Sequence, residues 1–269
     1  MNIGFIGGGN MAEALIKGVV SRGEVTSPVQ KDILVSEPRE ERRHYLERSY
    51  SVKTTGSNKE IASSCNIIIL AVKPQNMEAV LDEISPYITE EKTVVSIAAG
   101  ITLAYLSARL KTKKLIRVMP NTPALVQEAM SVMSLCECFS DRDVAFVREI
   151  FMSIGKVTTL PEKYMDAVTA LSGSGPAFIA FFIEGMIKAG IKLGLKEDDA
   201  FTLAVQTVIG TARLLETGMT PLKLREMVTS PGGTTAAGLN VFKDKGLTDI
   251  VYASLTAAKN RSEELGRKQ

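Results

Sequence analysis

"NIGFIGGGNMAEAL", residues 2 to 15, places a short apolar run ahead of three consecutive glycines and then apolar residues at helical spacing. Within it stands Gly7-x-Gly9-x-x-Ala12, directly after a predicted strand and directly before a predicted helix. Glycines in that position permit a tight turn and let backbone amides approach a pyrophosphate, while the start of the helix supplies a field that favours anions. The pattern taken alone also fits an ordinary structural turn. Read as a dinucleotide loop, it makes Gly7, Gly8, Gly9, Asn10, Met11 and Ala12 the first candidate cofactor contacts.

The residues that follow decide between the two readings. Strand-like and helix-like segments alternate to about residue 161: "DILVSE" (32–37), "REERRHYLERS" (39–49), "NIIILAVKP" (66–74), "NMEAVLDEISPYI" (76–88), "KTVVSIAAG" (92–100), "TLAYLSARL" (102–110), "KLIRVMPNTP" (114–123), "AMSVMSLC" (129–136), "DRDVAFVREIFMSIG" (141–155) and "KVTTLP" (156–161). The unbroken apolar run of 66–74 suits a strand buried on both faces, and the alternation predicts a mostly parallel sheet between two layers of helices. Residues 1–161 are thus expected to form a Rossmann-type NAD(P)-binding domain, which gives the glycine loop its function. Ligands in such sheets bind at the carboxyl ends of the strands. Ala71, Val72, Lys73 and Pro74 follow one strand, and Ile97, Ala98 and Ala99 end the next with mostly small residues beside which a flat ring could pass. At the end of the second strand Ser36 and Arg39 are suited to a 2′-phosphate, favouring NADP(H). Glu37 between them would favour NAD(H) if its carboxylate turned inward.

After Pro161 the texture is helical with almost no strand signal, so 162–269 is expected to be an all-helical domain. Its Ala-, Gly-, Phe- and Met-rich helices are more apolar than a small exposed bundle tolerates, which points to burial against a second copy or against the first domain. Hydrophobic residues at 45%, charged residues at 23% and a net charge of +2 are those of a soluble globular chain, with no signature of a nucleic-acid or membrane partner. The longest greasy stretch, "AFIAFFIEGMI" (177–187), is interrupted by Glu184, and no secretory leader precedes the first strand, so a cytoplasmic protein is expected. Three cysteines (Cys65, Cys136, Cys138) form neither a disulfide framework nor a metal site. The one histidine, His44, lies in a charged helical stretch, which leaves no basis for a His-based triad or a His general base.

Six segments, "GFIGGGNMAEAL", "AVKPQ", "SIAAGI", "MPNTPA", "ALSGSGPAF" and "VTSPGGTTAAGL", occur in an order and spacing that resembles the pyrroline-5-carboxylate reductases over essentially the whole chain. The last segment is the specific one. The resemblance implies NADPH- or NADH-dependent reduction of 1-pyrroline-5-carboxylate to L-proline, the last step of proline biosynthesis. It also implies a helical domain that interlocks two subunits, with decamers in some members. Carried over by residue, it adds Asn58 to the cofactor contacts named above and gives Glu162, Thr234 and Thr235 as substrate contacts. Family members often have Ala where Thr234 stands, and a family Asn before the serine-proline pair is Met227 here.

The chemistry of that substrate suits these residues. A protonated cyclic imine is already electron-poor at C5, so hydride delivery needs orientation and electrostatics more than a side-chain acid. Its carboxylate can be held by consecutive amides at a helix start, with Gly232 and Gly233 clearing the approach and the Thr235 hydroxyl reaching the ring nitrogen. A plain N-cap would explain the same residues, and the small residues of "SGSGP" (172–176) are read as close packing beside the site. A beta-hydroxyacid dehydrogenase is disfavoured because its Lys and Asn four residues apart are Lys188 and Lys192 here. A non-catalytic NADP-binding regulator is disfavoured by the intact "SPGGTT".

Overall fold

A computed structural model describes residues 2–22, 33–136 and 141–267. Eight strands form one sheet: β1 (Ile3–Ile6), β2 (Ile33–Ser36), β3 (Lys53–Thr55), β4 (Ile67–Leu70), β5 (Thr93–Ser96), β6 (Leu115–Met119), β7 (Ala129–Leu135) and β8 (Gly155–Thr159). Their order is β3-β2-β1-β4-β5-β6-β7-β8. The first six are parallel, as the alternation predicts. β7 instead runs antiparallel to β6, because the short loop 120–128 cannot return the chain for a parallel pairing. A helical crossover then makes β8 parallel to β7.

Helices α1 (Asn10–Arg22), α2 (Glu40–Tyr50), α3 (Asn58–Ser64), α4 (Met77–Ile84), α5 (Leu103–Arg109) and α6 (Asp141–Met152) cover the sheet. Each central strand feeds two cores by its period of two. Ile67 and Ile69 join Leu15, Ile16, Leu46 and Phe151 on one face, while Ile68 and Leu70 join Ile61, Leu81, Ile84 and Leu106 on the other. Each such buried side chain contributes roughly 1.5–3 kcal/mol of transfer free energy. β3 and α3 are additions to the sequence reading, which passes from the second helix directly to the strand at 66. The sequence offers Gly23 as a stop for the first helix, but this residue and Cys138 lie outside the described residues.

The second half contains α7 (Met165–Val168), α8 (Gly175–Lys192), α9 (Glu197–Glu216), α10 (Pro221–Met227), α11 (Thr234–Asp244) and α12 (Leu247–Arg267). A turn of π-helix, Thr169–Gly173, joins α7 to α8. Gly173 supports the packing reading of "SGSGP", since a Cβ there would meet Met119 Cε at 2.5 Å. Asn121 anchors the same turn by donating to the Ser172 carbonyl at 3.2 Å.

The sequence boundary at 161/162 is not where the packing divides. The compact units are Met1–Ser174 with Ala258–Gln269, and Gly175–Ala257. α7 stays with the sheet because Met165 and Val168 bury with Val132 of β7, and the end of α12 stays with it through a Ser262 Oγ to Asp166 Oδ1 bond of 2.7 Å.

In the helical unit α8 and α9 pack together and Phe182 meets Phe242 with ring centroids 6.3 Å apart. Its buried apolar side chains are nonetheless just Ala200 and Ala204, while Phe181 is 76% and Leu193 86% exposed. The segment Glu162–Lys192, 31 residues, is by length and composition apolar enough to cross a membrane. Glu184, read in the sequence as interrupting the apolar stretch 177–187, lies inside the continuous helix α8.

Candidate functional site

Four strand ends of the parallel sheet are stitched edge to edge. Gly7 N donates to Ser36 O at 2.9 Å, Ala71 N to Ile6 O at 2.8 Å and Ile97 N to Leu70 O at 3.2 Å. The glycine loop, the end of β2, the Ala71–Pro74 segment and the Ile97–Ala99 segment are therefore neighbours along one edge. Gly7 has φ +99, and a Cβ there would meet the Ala71 carbonyl oxygen at 2.7 Å, so no other residue fits. At Gly9 nothing lies within 4 Å of where a Cβ would be. This open position faces the start of α1, whose amides at Asn10, Met11 and Ala12 precede the first helical bond, Glu13 N to Gly9 O. An unobstructed glycine, unpaired amides and a helix start are what the pyrophosphate of a dinucleotide requires. Lys73 is exposed at the start of a 3-10 turn, Pro74–Asn76, and Ala98 is buried between the half-buried Ile97 and Ala99.

Two charged side chains from the β2–α2 segment grip the backbone of Gly8 on both sides of its Cα. Glu37 Oε2 accepts from Gly8 N at 3.1 Å, and Arg42 Nε donates to Gly8 O at 2.6 Å. Arg42 also pairs with Glu13, which accepts from Tyr45 at 2.9 Å and Tyr50 at 2.7 Å. Burial raises the Glu13 carboxyl, but these donors together hold it below its ordinary value. Burial and the bond to Glu13 push the Tyr50 phenol well above its own.

Ser36, expected to meet a 2′-phosphate, is 1% exposed, and its hydroxyl donates to Asn58 Oδ1 at 2.6 Å. Glu37 has turned inward, the condition under which the sequence would favour NAD(H). Arg39 is exposed and bonds Glu37 Oε1 at 2.7 Å.

The candidate substrate residues fall into two groups. Glu162 Oε1 accepts from Leu103 N at 2.7 Å and from the buried Arg117 at 3.2 Å, so this oxygen is engaged within the first unit. Arg117 also approaches Asp166 at 4.0 Å. The other group lies in the helical unit, where α11 begins at Thr234 with Gly233 as N-cap and no side-chain capping bond. A plain cap therefore does not account for the segment. Gly232 sits at φ +69 with open space around its missing Cβ, so the turn favours glycine there. The first helical bond is Ala237 N to Gly233 O, leaving the amides of Thr234, Thr235 and Ala236 ahead of it. Among the described residues neither threonine hydroxyl has a hydrogen-bond partner. Met227, in place of the family Asn, ends α10 and is exposed.

Arg42, Asn121 and Arg117 were not singled out from the sequence. Arg117 alone carries a signal, as a cation inside the apolar strand "LIRVM", which requires a buried acidic partner. A cavity of about 350 Å³ lined by Gly18, Ser21, Gln127, Met152, Ser153 and Gly155 contains none of the candidate residues. Among the described residues no cluster of His, Cys, Asp and Glu is placed to hold a metal.

A doubly wound sheet with an open glycine loop, continued by an apolar helical unit, defines a nicotinamide-dinucleotide oxidoreductase of the two-domain type. Two families match the chain: the one described as pyrroline-5-carboxylate reductase dimerisation over residues 162–265, and the NADP oxidoreductase, coenzyme F420-dependent, family over residues 2–100. The chain is 41% identical to the pyrroline-5-carboxylate reductase of Methanosarcina acetivorans, covering 99% of this chain and 98% of that protein. It is 39% identical to that of Synechocystis sp. over 100% and 99% of the two chains. The crystal structure of Plasmodium falciparum pyrroline carboxylate reductase with NADP bound superposes with a TM-score of 0.87 at 31% identity, covering 99% of this chain and 98% of that one. The chain belongs to the pyrroline-5-carboxylate reductase family.

Proposed function

We propose that the protein reduces 1-pyrroline-5-carboxylate to L-proline, the closing step of proline biosynthesis, with NADP(H) as cofactor and NAD(H) as an alternative. The observation that carries this reading is the uncapped start of α11, where, among the described residues, three amides and two hydroxyls are left without partners behind a glycine turn. A reduced nicotinamide supplies the hydride when bound. The chain's own part is to bind and orient. The glycine loop and the start of α1 hold the pyrophosphate, and Ala71–Pro74 and Ile97–Ala99 line the same edge. The amides of Thr234 and Thr235 hold the substrate carboxylate. The Thr235 hydroxyl is aimed at the ring nitrogen, to which it donates when the imine binds neutral, and is the group we assign to catalysis. Glu162, fixed by Arg117 and Leu103, is assigned to the substrate side of the first unit.

The exposed phenylalanines and leucines of Gly175–Ala257 are covered by a second copy, giving a homodimer through the helical domain that can build further, up to a decamer. The match to a dimerisation family and the near absence of a core in this unit support that reading over insertion of the Glu162–Lys192 helix in a bilayer. A cytoplasmic location, with no nucleic-acid or membrane partner, accompanies it. The test is nicotinamide oxidation with 1-pyrroline-5-carboxylate beside hydroxyisobutyrate and ketopantoate in their corresponding directions. Turnover with the cyclic imine alone is expected. Turnover with a hydroxy acid or ketone instead would transfer the chain to the beta-hydroxyacid dehydrogenase type, and none at all would make it a non-catalytic binder.

A further inference from the structure

Two side chains of opposite charge meet at the end of β2, where folds of this topology place the adenosine ribose of a dinucleotide. Glu37 is only 5% exposed, and its two oxygens are divided between two partners. Oε2 accepts from the Gly8 amide at 3.1 Å, while Oε1 accepts from the backbone and Nε of Arg39 at 3.2 and 2.7 Å. A carboxylate bound to an amide of the glycine loop faces the dinucleotide side of the strand end. Burial acts to neutralise it, but Arg39 and the Gly8 amide prevail and hold its carboxyl below the ordinary value, so it stays ionised at neutral pH.

The other polar groups here are already committed. Ser36 donates to Asn58, and Asn58 Nδ2 donates to Glu83 Oε2 at 2.8 Å. Arg43 Nη1 donates to the carbonyls of Glu37 and Pro38 at 2.9 and 3.0 Å. Arg39, its side chain 68% exposed, is the cation held directly against the Glu37 carboxylate. The two forms of the cofactor therefore meet opposite electrostatics. A 2′-hydroxyl is a donor that Glu37 can accept with the Arg39 pair intact. A 2′-phosphate is drawn to Arg39, competes with Glu37 for it, and brings its charge beside an ionised carboxylate.

We propose that Glu37 and Arg39 form an opposed pair that sets the choice of dinucleotide: Glu37 admits NAD(H) and works against the 2′-phosphate, and Arg39 retains NADP(H) in spite of it. The proposal rests on the dinucleotide reading of the glycine loop. It is tested by titrating the full-length protein, followed by calorimetry, with NADPH, NADH, adenosine 2′,5′-bisphosphate and AMP. Glu37→Gln is expected to move the NADPH:NADH affinity ratio, and the bisphosphate:AMP ratio with it, toward the phosphorylated ligand by about tenfold, the scale of one charge-assisted hydrogen bond. Arg39→Gln, at an exposed position that leaves the fold intact, is expected to move both ratios about as far the other way. Weakening of all four ligands alike in Glu37→Gln would make Glu37 a support for Gly8 and overturn the proposal, as would unmoved ratios in Arg39→Gln. Failure of the unaltered protein to bind either dinucleotide would remove the reading of the loop itself, and the selector with it.

Discussion

The two compact units of this chain are stabilised by different means. The sheet unit carries its own core, with strands such as Ile67–Leu70 buried throughout and apolar side chains filling both faces. The helical unit Gly175–Ala257 has helices of comparable apolar content yet buries only two alanines. One unit thus fills its own core as a single chain, while the other leaves most of its apolar side chains exposed. The contrast teaches that a unit's apolar content and its own core are separate properties, and that the first without the second points outward.

The largest expected effect comes from the helical unit. Phe181→Glu should convert the proposed dimer to monomers in sedimentation velocity and abolish turnover, because a buried interface charge without a partner is strongly unfavourable. Tyr87→Glu, at an exposed aromatic of the sheet unit, should change neither, and a persistent Phe181→Glu dimer would dissolve the contrast. Next, Ile68→Ala should cost about 2–5 kcal/mol in urea unfolding of the sheet unit, as a cavity in a filled core. A loss under 1 kcal/mol would show that this core is no better packed than the helical face.

Thr235→Ala should lower kcat by about a hundredfold, the scale of one lost donor at a reacting centre. Nicotinamide affinity, measured by titration, should be unchanged, and unaltered kinetics would remove Thr235 from the chemistry. The smallest effect concerns pH. Glu13 and Glu37 both have carboxyls lowered from 4.5 in the folded sheet unit. Groups depressed in this way stabilise fully above their unfolded value and lose that contribution as pH falls through the folded one. The urea midpoint should therefore decline below about pH 4.5, and less steeply in Glu13→Gln. An identical decline in the variant would assign the acid sensitivity elsewhere.

The sheet unit was also the more legible in sequence. Apolar runs such as "NIIIL" and the glycine loop announce strands and their ligand edge through local pattern alone. β3 and α3 escaped because "SVKTTGSNKEIASSC" holds no apolar run: β3 is an edge strand, exposed or half-buried at each residue, and α3 buries little beyond Ile61 and Ala62. The inward turn of Glu37 depended on an amide 29 positions away, and the commitment of Glu162 on an arginine 45 positions away. At 230–235 the sequence left a helix cap and a substrate contact equally open, and the cap residue itself was not legible. Gly233, rather than a serine or threonine, occupies the N-cap, which frees the hydroxyls that the sequence left between two roles.

The double grip on Gly8 has a consequence for how tightly any dinucleotide is held. Fixing one residue's backbone costs about 1–2 kcal/mol in conformational entropy. Here Glu37 and Arg42 restrain the amide and the carbonyl of one residue, in the two peptide groups that flank its Cα, during folding and before a ligand arrives. The loop therefore enters the encounter already ordered, and the affinity that a flexible glycine loop would lose to ordering is retained by the complex.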